Sequence, residues 1–149
     1  MATKHIPAGY HSITPTFAVE GAEKFIDFLN QVFNPKIRMR MQGPDGKIMH
    51  AELEIGDSVI MVSDAGPQWP ARYNSVYVYV EDVDAAYQRA LKAGAVSVRE
   101  PENAFYGDRG CAIRDPFGNL WGIATHIEDV APDELKRRAE AFQKKMAGG

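Results

Sequence analysis

The feature that most constrains this chain is a pattern that occurs twice, 61 residues apart. Val19-Glu20 and Val80-Glu81 each join an alternating, strand-like stretch to one of helical period. The same offset carries residues 13–19 onto 74–80 and residues 58–62 onto 119–123. In the first copy the spacing predicts a strand over 11–19, with Ile13, Phe17 and Val19 on one face. A helix is expected over 20–33, where Ala22, Phe25, Ile26, Leu29, Val32 and Phe33 recur at spacings of three and four before Asn34-Pro35 stops it. In the second copy a strand over 75–80 leads to a helix over 81–93, with a stripe of Val83, Ala86, Tyr87, Ala90 and Leu91 and a stop at Gly94. Three strands follow each helix, over 35–41, 47–55 and 58–63, and then over 95–99, 107–114 and 119–126. Gly43-Pro44-Asp45-Gly46, Gly56-Asp57 and Asp115-Pro116-Phe117-Gly118 supply turns between them.

The pattern predicts an α+β fold, a single domain over 1–149 built from tandem βαβββ modules at 9–64 and 74–127. Residues 65–74, with Gly66, Pro67 and Pro70, read as a linker. An amphipathic helix is expected over 132–146, with Leu135, Ala139, Phe142 and Met146 as its stripe. A module alone leaves one sheet face uncovered, so the helices should cover one face and the other should line a shared groove. Phe17, Val19, Ile60, Val62, Val76, Val78, Trp121 and Ile123 then face the helices. Thr14, Thr16, Val59, Met61, Ser75, Tyr77, Tyr79, Leu120, Gly122 and Ala124 face the groove.

Several function classes are disfavoured by composition. A net charge of −3 argues against a nucleic-acid partner. No apolar run approaches the ~20 residues of a membrane span, so no membrane partner is expected. Cys111 is the one cysteine and cannot form an intramolecular disulfide, which fits a cytoplasmic protein. Glycine-rich phosphate loops, Cys-x-x-Cys and Gly-x-Ser-x-Gly are absent from the sequence.

The paired modules, the stretch Val80-Glu81-Asp82-Val83-Asp84-Ala85-Ala86 and the stretch Asp115-Pro116-Phe117-Gly118-Asn119-Leu120-Trp121 resemble the glyoxalase / bleomycin-resistance / extradiol-dioxygenase superfamily, the vicinal oxygen chelate fold. The resemblance covers about residues 9 to 127, with the last helix as an extension. Met49-His50-Ala51-Glu52-Leu53 and Phe105-Tyr106-Gly107-Asp108-Arg109 are similar to its PhnB-like, or glyoxalase-like, bacterial branch. That superfamily includes lyases, isomerases, ring-cleaving dioxygenases and proteins that only sequester drugs, so the fold alone does not choose among them.

Metal enzymes of the superfamily carry ligands on the first and last strand of each module. The resemblance puts those positions on Thr14, Met61, Ser75 and Gly122, themselves related by the same offset. Glycine offers no side chain, methionine suits soft ions, and a neutral hydroxyl is a poor donor to Zn, Fe, Mn or Ni. No metal and no other cofactor is therefore expected.

Three other residues are acid–base or anion-binding candidates. His50 and Glu52 lie two apart on one strand and point the same way, as a base and its orienter would, or as two members of a polar face with Glu54. Arg109 could hold a carboxylate or phosphate, or be paired within its own loop. Tyr77, Tyr79 and Met61 would give the groove an aromatic, soft wall suited to a flat apolar ligand or an organic cation, with Phe105 nearby and Trp69 closing over it. Cys111 reads as a buried small residue and the remaining histidines as surface groups. The expected function is metal-independent small-molecule binding by a homodimer, sequestering an aromatic or hydrophobic compound. The alternative is a lyase, isomerase or dioxygenase with a relocated or non-metal site, using His50, Glu52 and Arg109.

Overall fold

The computed structural model describes residues 2–149, which divide into two compact units, 2–74 with 116–119 and 75–115 with 120–149. The first unit contains β1 (Thr16–Val19), α1 (Ala22–Phe33), β2 (Lys36–Gln42), β3 (Ile48–Ile55) and β4 (Ser58–Asp64). Its sheet runs β1-β4-β3-β2, with β1 parallel to β4 from Thr16 opposite Met61 and the other pairs antiparallel. One face buries Phe17, Val19, Ala51, Leu53, Ile60 and Val62, and α1 buries Phe25, Ile26, Leu29 and Val32. The rings of Phe17 and Phe25 meet with centroids 5.2 Å apart. Each large side chain so buried contributes roughly 1.5–3 kcal/mol of hydrophobic free energy.

Helix α1 begins at Gly21 with no cap from its own side chains. Asp64, at the end of β4, takes that role. Its Oδ1 accepts from the Gly21 and Ala22 amides at 3.2 and 3.0 Å, and its Oδ2 accepts from the Ile48 amide at 2.7 Å. The carboxylate therefore ties three chain segments to one point where the helix dipole favours negative charge.

The second unit contains β5 (Ser75–Tyr79), α2 (Val83–Lys92), β6 (Val96–Asn103), β7 (Asp108–Arg114), β8 (Leu120–His126) and α3 (Pro132–Gly148). Its sheet repeats the first topology, β5-β8-β7-β6, with β5 parallel to β8. Asp82 caps α2 by accepting from the Ala85 amide at 3.1 Å. Val83, Ala86 and Ala90 of α2 are buried, as are Cys111, Ile113, Trp121 and Ile123 of the sheet. The Trp121 indole donates to Asp115 at 2.8 Å within this core.

The tandem βαβββ expectation therefore holds, with differences that have local causes. The first strand is shorter than 11–19, because Pro15 has no amide to donate and the ladder begins at Thr16. Ile13, expected on the helix-facing side, is 86% exposed. The strand expected over 95–99 runs on to Asn103. Pro101 is accommodated there because β6 is an edge strand with a register shift between Arg99 and Glu102. Residues 65–74 are not a free linker but follow the outer edge of β1, where Ala65 and Arg72 amides donate to Val19 and Ala18 carbonyls and the Asn74 side chain donates to that of Thr16. The expected apolar stripe of α3 is not buried: Phe142 and Met146 are exposed. That helix is held instead by Arg138, bidentate to Glu128, and by the Phe142 ring against Phe105 at 5.2 Å.

Candidate functional site

On the first sheet, alternation sends Met61, Glu52 and Thr16 to the face opposite α1, in one row across the strands. The chain before β1 borders this face beside an open cavity of about 480 Å³, whose lining includes Tyr10, Thr14, Arg38, Glu52 and Met61. The Arg38 guanidinium sits 5.2 Å from the Tyr10 ring centroid and donates to the Ala8 carbonyl at 2.9 Å. The buried Tyr10 hydroxyl has no well-aligned hydrogen-bond partner. Burial, and then the neighbouring Glu52 carboxylate, push its pKa up to about 12. Tyr10, and then the His50 imidazole, draw the Glu52 carboxyl below its ordinary range, so it is ionised at neutral pH.

His50 and Glu52 form the side-chain pair that their spacing predicts, with Nε2 to Oε2 at 3.0 Å. His50 also borders a second cavity of about 310 Å³, with Thr16, Met49, Met61, Ser63 and Trp69. Trp69 lines this space while remaining 73% exposed. A half-buried imidazole bonded to an ionised carboxylate beside a cavity can exchange a proton with a bound molecule.

On the second sheet the organising residue is Asp108, which is buried. Its Oδ2 accepts from the Tyr77 and Tyr79 hydroxyls at 2.8 and 2.9 Å, and its Oδ1 pairs with His126 Nδ1 at 2.8 Å. His126 Nε2 reaches Asp129 at 2.8 Å. Burial works against the Asp108 charge, but the bonds from His126, Tyr77 and Tyr79 outweigh it and hold the carboxyl below its usual range. Asp108, and then Asp129, raise the His126 imidazole. Burial and the Asp108 bond push the Tyr77 phenol well up, and the Asp108 bond does the same to Tyr79, so neither tyrosine is a base at neutral pH. The Tyr77 ring lies over Gly122, and its hydroxyl comes near Gly110.

Arg109 stands on the other face of β7. It is bidentate to Asp84 of α2 at 2.8 and 2.9 Å and also donates to Asn103, so it is not on the face that carries Asp108, Tyr77 and Tyr79. Phe105, expected in the groove, packs against Tyr106 and the Phe142 ring of α3. Cys111 is fully buried, and burial raises its thiol, which suits a packing residue better than a nucleophile.

The four positions matching family metal ligands do not fit a divalent ion. Thr14 and Met61 offer a neutral hydroxyl and a thioether, Ser75 is an exposed hydroxyl, and the Tyr77 ring occupies the space a side chain at Gly122 would need. Among the described residues no three His, Cys, Asp or Glu side chains are grouped as metal ligands. No described helix is long and apolar enough to cross a membrane.

A family model described as Glyoxalase/Bleomycin resistance protein/Dioxygenase superfamily matches residues 10–123. An uncharacterized protein of Mycobacterium bovis is 35% identical over 136 residues, covering 84% of this chain and 90% of its own length. Among solved structures, TioX from Micromonospora sp. ML1 superposes with a TM-score of 0.63 at 27% identity, over 78% of this chain and all of that one. TnmS3 from Streptomyces sp. CB03234, described as an antibiotic binding protein, superposes with a TM-score of 0.61 at 22% identity, over 85% of this chain and 98% of its own.

Proposed function

Because the chain belongs to the glyoxalase/bleomycin resistance protein/dioxygenase superfamily, we propose that it is one of the binding proteins of that fold, holding an aromatic or hydrophobic small molecule without a metal. The observation that carries this is the first-sheet cavity of about 480 Å³, within the range of sites for small organic ligands. Its walls combine the soft Met61 side chain and the Tyr10 ring with two fixed charges, on Arg38 and Glu52. Such a lining takes an apolar body and orients polar substituents. The antibiotic-binding description of TnmS3, a protein of the same fold, gives a precedent for small-molecule binding. The exposed apolar residues Ile37, Met39 and Met41 along the edge strand β2 support a homodimer.

The test is a ligand screen by thermal shift, followed by calorimetry on chelator-treated protein. A saturable binder of micromolar or better affinity, weakened about tenfold by Met61→Arg, is the expected result. No such binder, or a stoichiometric metal whose removal abolishes binding, overturns the reading. One observation favours an enzyme instead: the His50–Glu52 pair beside the Trp69 cavity. That reading requires turnover of a bound compound that falls sharply in both His50→Ala and Glu52→Gln, and unchanged turnover in those variants sinks it.

A further inference from the structure

Two phenols are bonded to one carboxylate on the face of the second sheet opposite α2, and a third, Tyr106, lies beside them. Asp108 is buried, yet the residues Tyr77, Tyr79 and Tyr106 remain 46%, 61% and 41% exposed. Tyr77 and Tyr79 meet with centroids 5.4 Å apart and planes at 71°, a near-right-angled corner. The Tyr106 hydroxyl interacts with that of Tyr77. One face of the Tyr77 ring is turned to the sheet at Gly122, where no side chain intervenes. The rings are thus fixed at both ends, by backbone and by the hydrogen bonds of their hydroxyls to Asp108.

Two partly exposed rings held at a steep angle and backed by a carboxylate supply the electron-rich surface that recognises ammonium groups through the ring quadrupole. Donation of the phenol protons to a carboxylate pushes electron density into the rings and strengthens that attraction. The local charge has the same sign. Asp108 and Asp129 set two negative charges against the single positive charge His126 can carry. Arg109, the cation next in sequence, is held on the opposite face by Asp84. An anion would meet a net negative charge here, and a neutral ring would gain nothing from it.

We propose that the corner formed by Tyr77, Tyr79 and Tyr106, backed by the Asp108 carboxylate, binds an organic ammonium cation. The proposal rests on reading the chain as a small-molecule binder and supplies the chemical class that its second sheet selects. It is tested with variants of that sheet alone, leaving Tyr10, Arg38, Glu52 and Met61 untouched.

The experiment uses the full chain and two probes, choline and dimethylbutanol, its uncharged carbon isostere, titrated by calorimetry and by NMR of the tyrosine rings. Choline is expected to bind saturably and at least about tenfold more tightly than the isostere, with shifts centred on Tyr77 and Tyr79. Tyr79→Leu, checked for an intact fold by circular dichroism and melting, is expected to weaken choline about tenfold. Tyr79→Phe keeps the ring and should lose no more than about threefold. Equal affinity for the two probes, no saturable choline binding, or choline binding unchanged in Tyr79→Leu each overturn the proposal. If choline fails while a neutral compound binds the first-sheet cavity and is lost in Met61→Arg, the cation site falls and the binding function stands. If choline binds as expected and no Met61-dependent ligand is found, the cation site stands and the assignment of the binding site to the first-sheet cavity falls.

Discussion

The ring of Tyr77 lies directly over Gly122: a Cβ on Gly122 would stand 2.7 Å from Tyr77 Cδ1 and 3.2 Å from Cε1. Glycine is required there by its neighbour, not by the backbone. Gly122→Ala should therefore push the ring off the sheet and break its bond to Asp108, at a cost of about 1–3 kcal/mol in stability. A denaturant melt measures the first effect. Ultraviolet titration of the tyrosines measures the second, as one phenol ionising at lower pH than in the parent protein.

Asp108→Asn tests the hub itself. The amide keeps the shape but removes the charge that three groups are bonded to. Loss of charge-assisted bonds at a buried position should destabilise the second unit by about 1–3 kcal/mol. Both Tyr77 and Tyr79 should then ionise at lower pH, because Asp108 is among the causes holding each phenol up. Unchanged tyrosine titration would mean that burial alone sets their pKa values.

How much of this was legible in the sequence depends on distance along the chain. The repeat, the two sheets and the burial of Phe17, Val62, Trp121 and Ile123 follow from alternation, a signal each residue shares with its near neighbours. The His50–Glu52 pair was legible for the same reason, being two residues apart on one strand. The Asp108 hub leaves no such short-range signal because its partners lie 18 to 31 residues away, while its neighbour in sequence is Arg109. Adjacent strand residues face opposite ways, so those two could not act together. The missing signal was present in the turn at 115–118, which pairs Arg114 with Leu120. Counting six residues back along β7 and six forward along β8 brings Asp108 opposite His126. Tyr10 carries no such signal, since the segment before β1 has no regular structure and its place beside Arg38 of β2 is a tertiary contact.

The Asp108–His126 pair makes stability depend on pH in a definable window. The imidazole is raised in the folded protein, so its contribution is fully present below its unfolded value, about 6.5, and is lost as pH rises through the folded value. The Asp108 carboxyl is lowered, so its contribution is present above about 3.9 and is lost as pH falls through the folded value. The pair therefore stabilises most between those limits and less on the alkaline side. His126→Gln should flatten the alkaline limb of a plot of melting temperature against pH while leaving a carboxylate-dependent acid limb. An alkaline limb of unchanged slope would assign it to another group.

Gly107 is demanded by both its backbone and its surroundings. Its φ is +100°, a left-handed conformation that L side chains rarely adopt. A Cβ there would collide with the Glu128 carbonyl oxygen, and that contact is with backbone, not with the end of a flexible side chain. The Gly107 carbonyl also accepts from the Ile127 and Glu128 amides at 2.9 and 3.1 Å, joining the loop before β7 to the chain that leaves β8. Gly107→Ala must displace this junction, which lies next to Asp108 and carries Glu128, the partner of Arg138 on α3. A loss of about 1–3 kcal/mol is expected, with faster amide exchange at Ile127 and Glu128 and in α3. Gly46→Ala provides the comparison, since its φ is also positive but nothing lies within 4 Å of its Cβ. It should cost only the strain of the turn, and an equal loss in the two variants would mean that the Gly107 contact with Glu128 carries none of the effect.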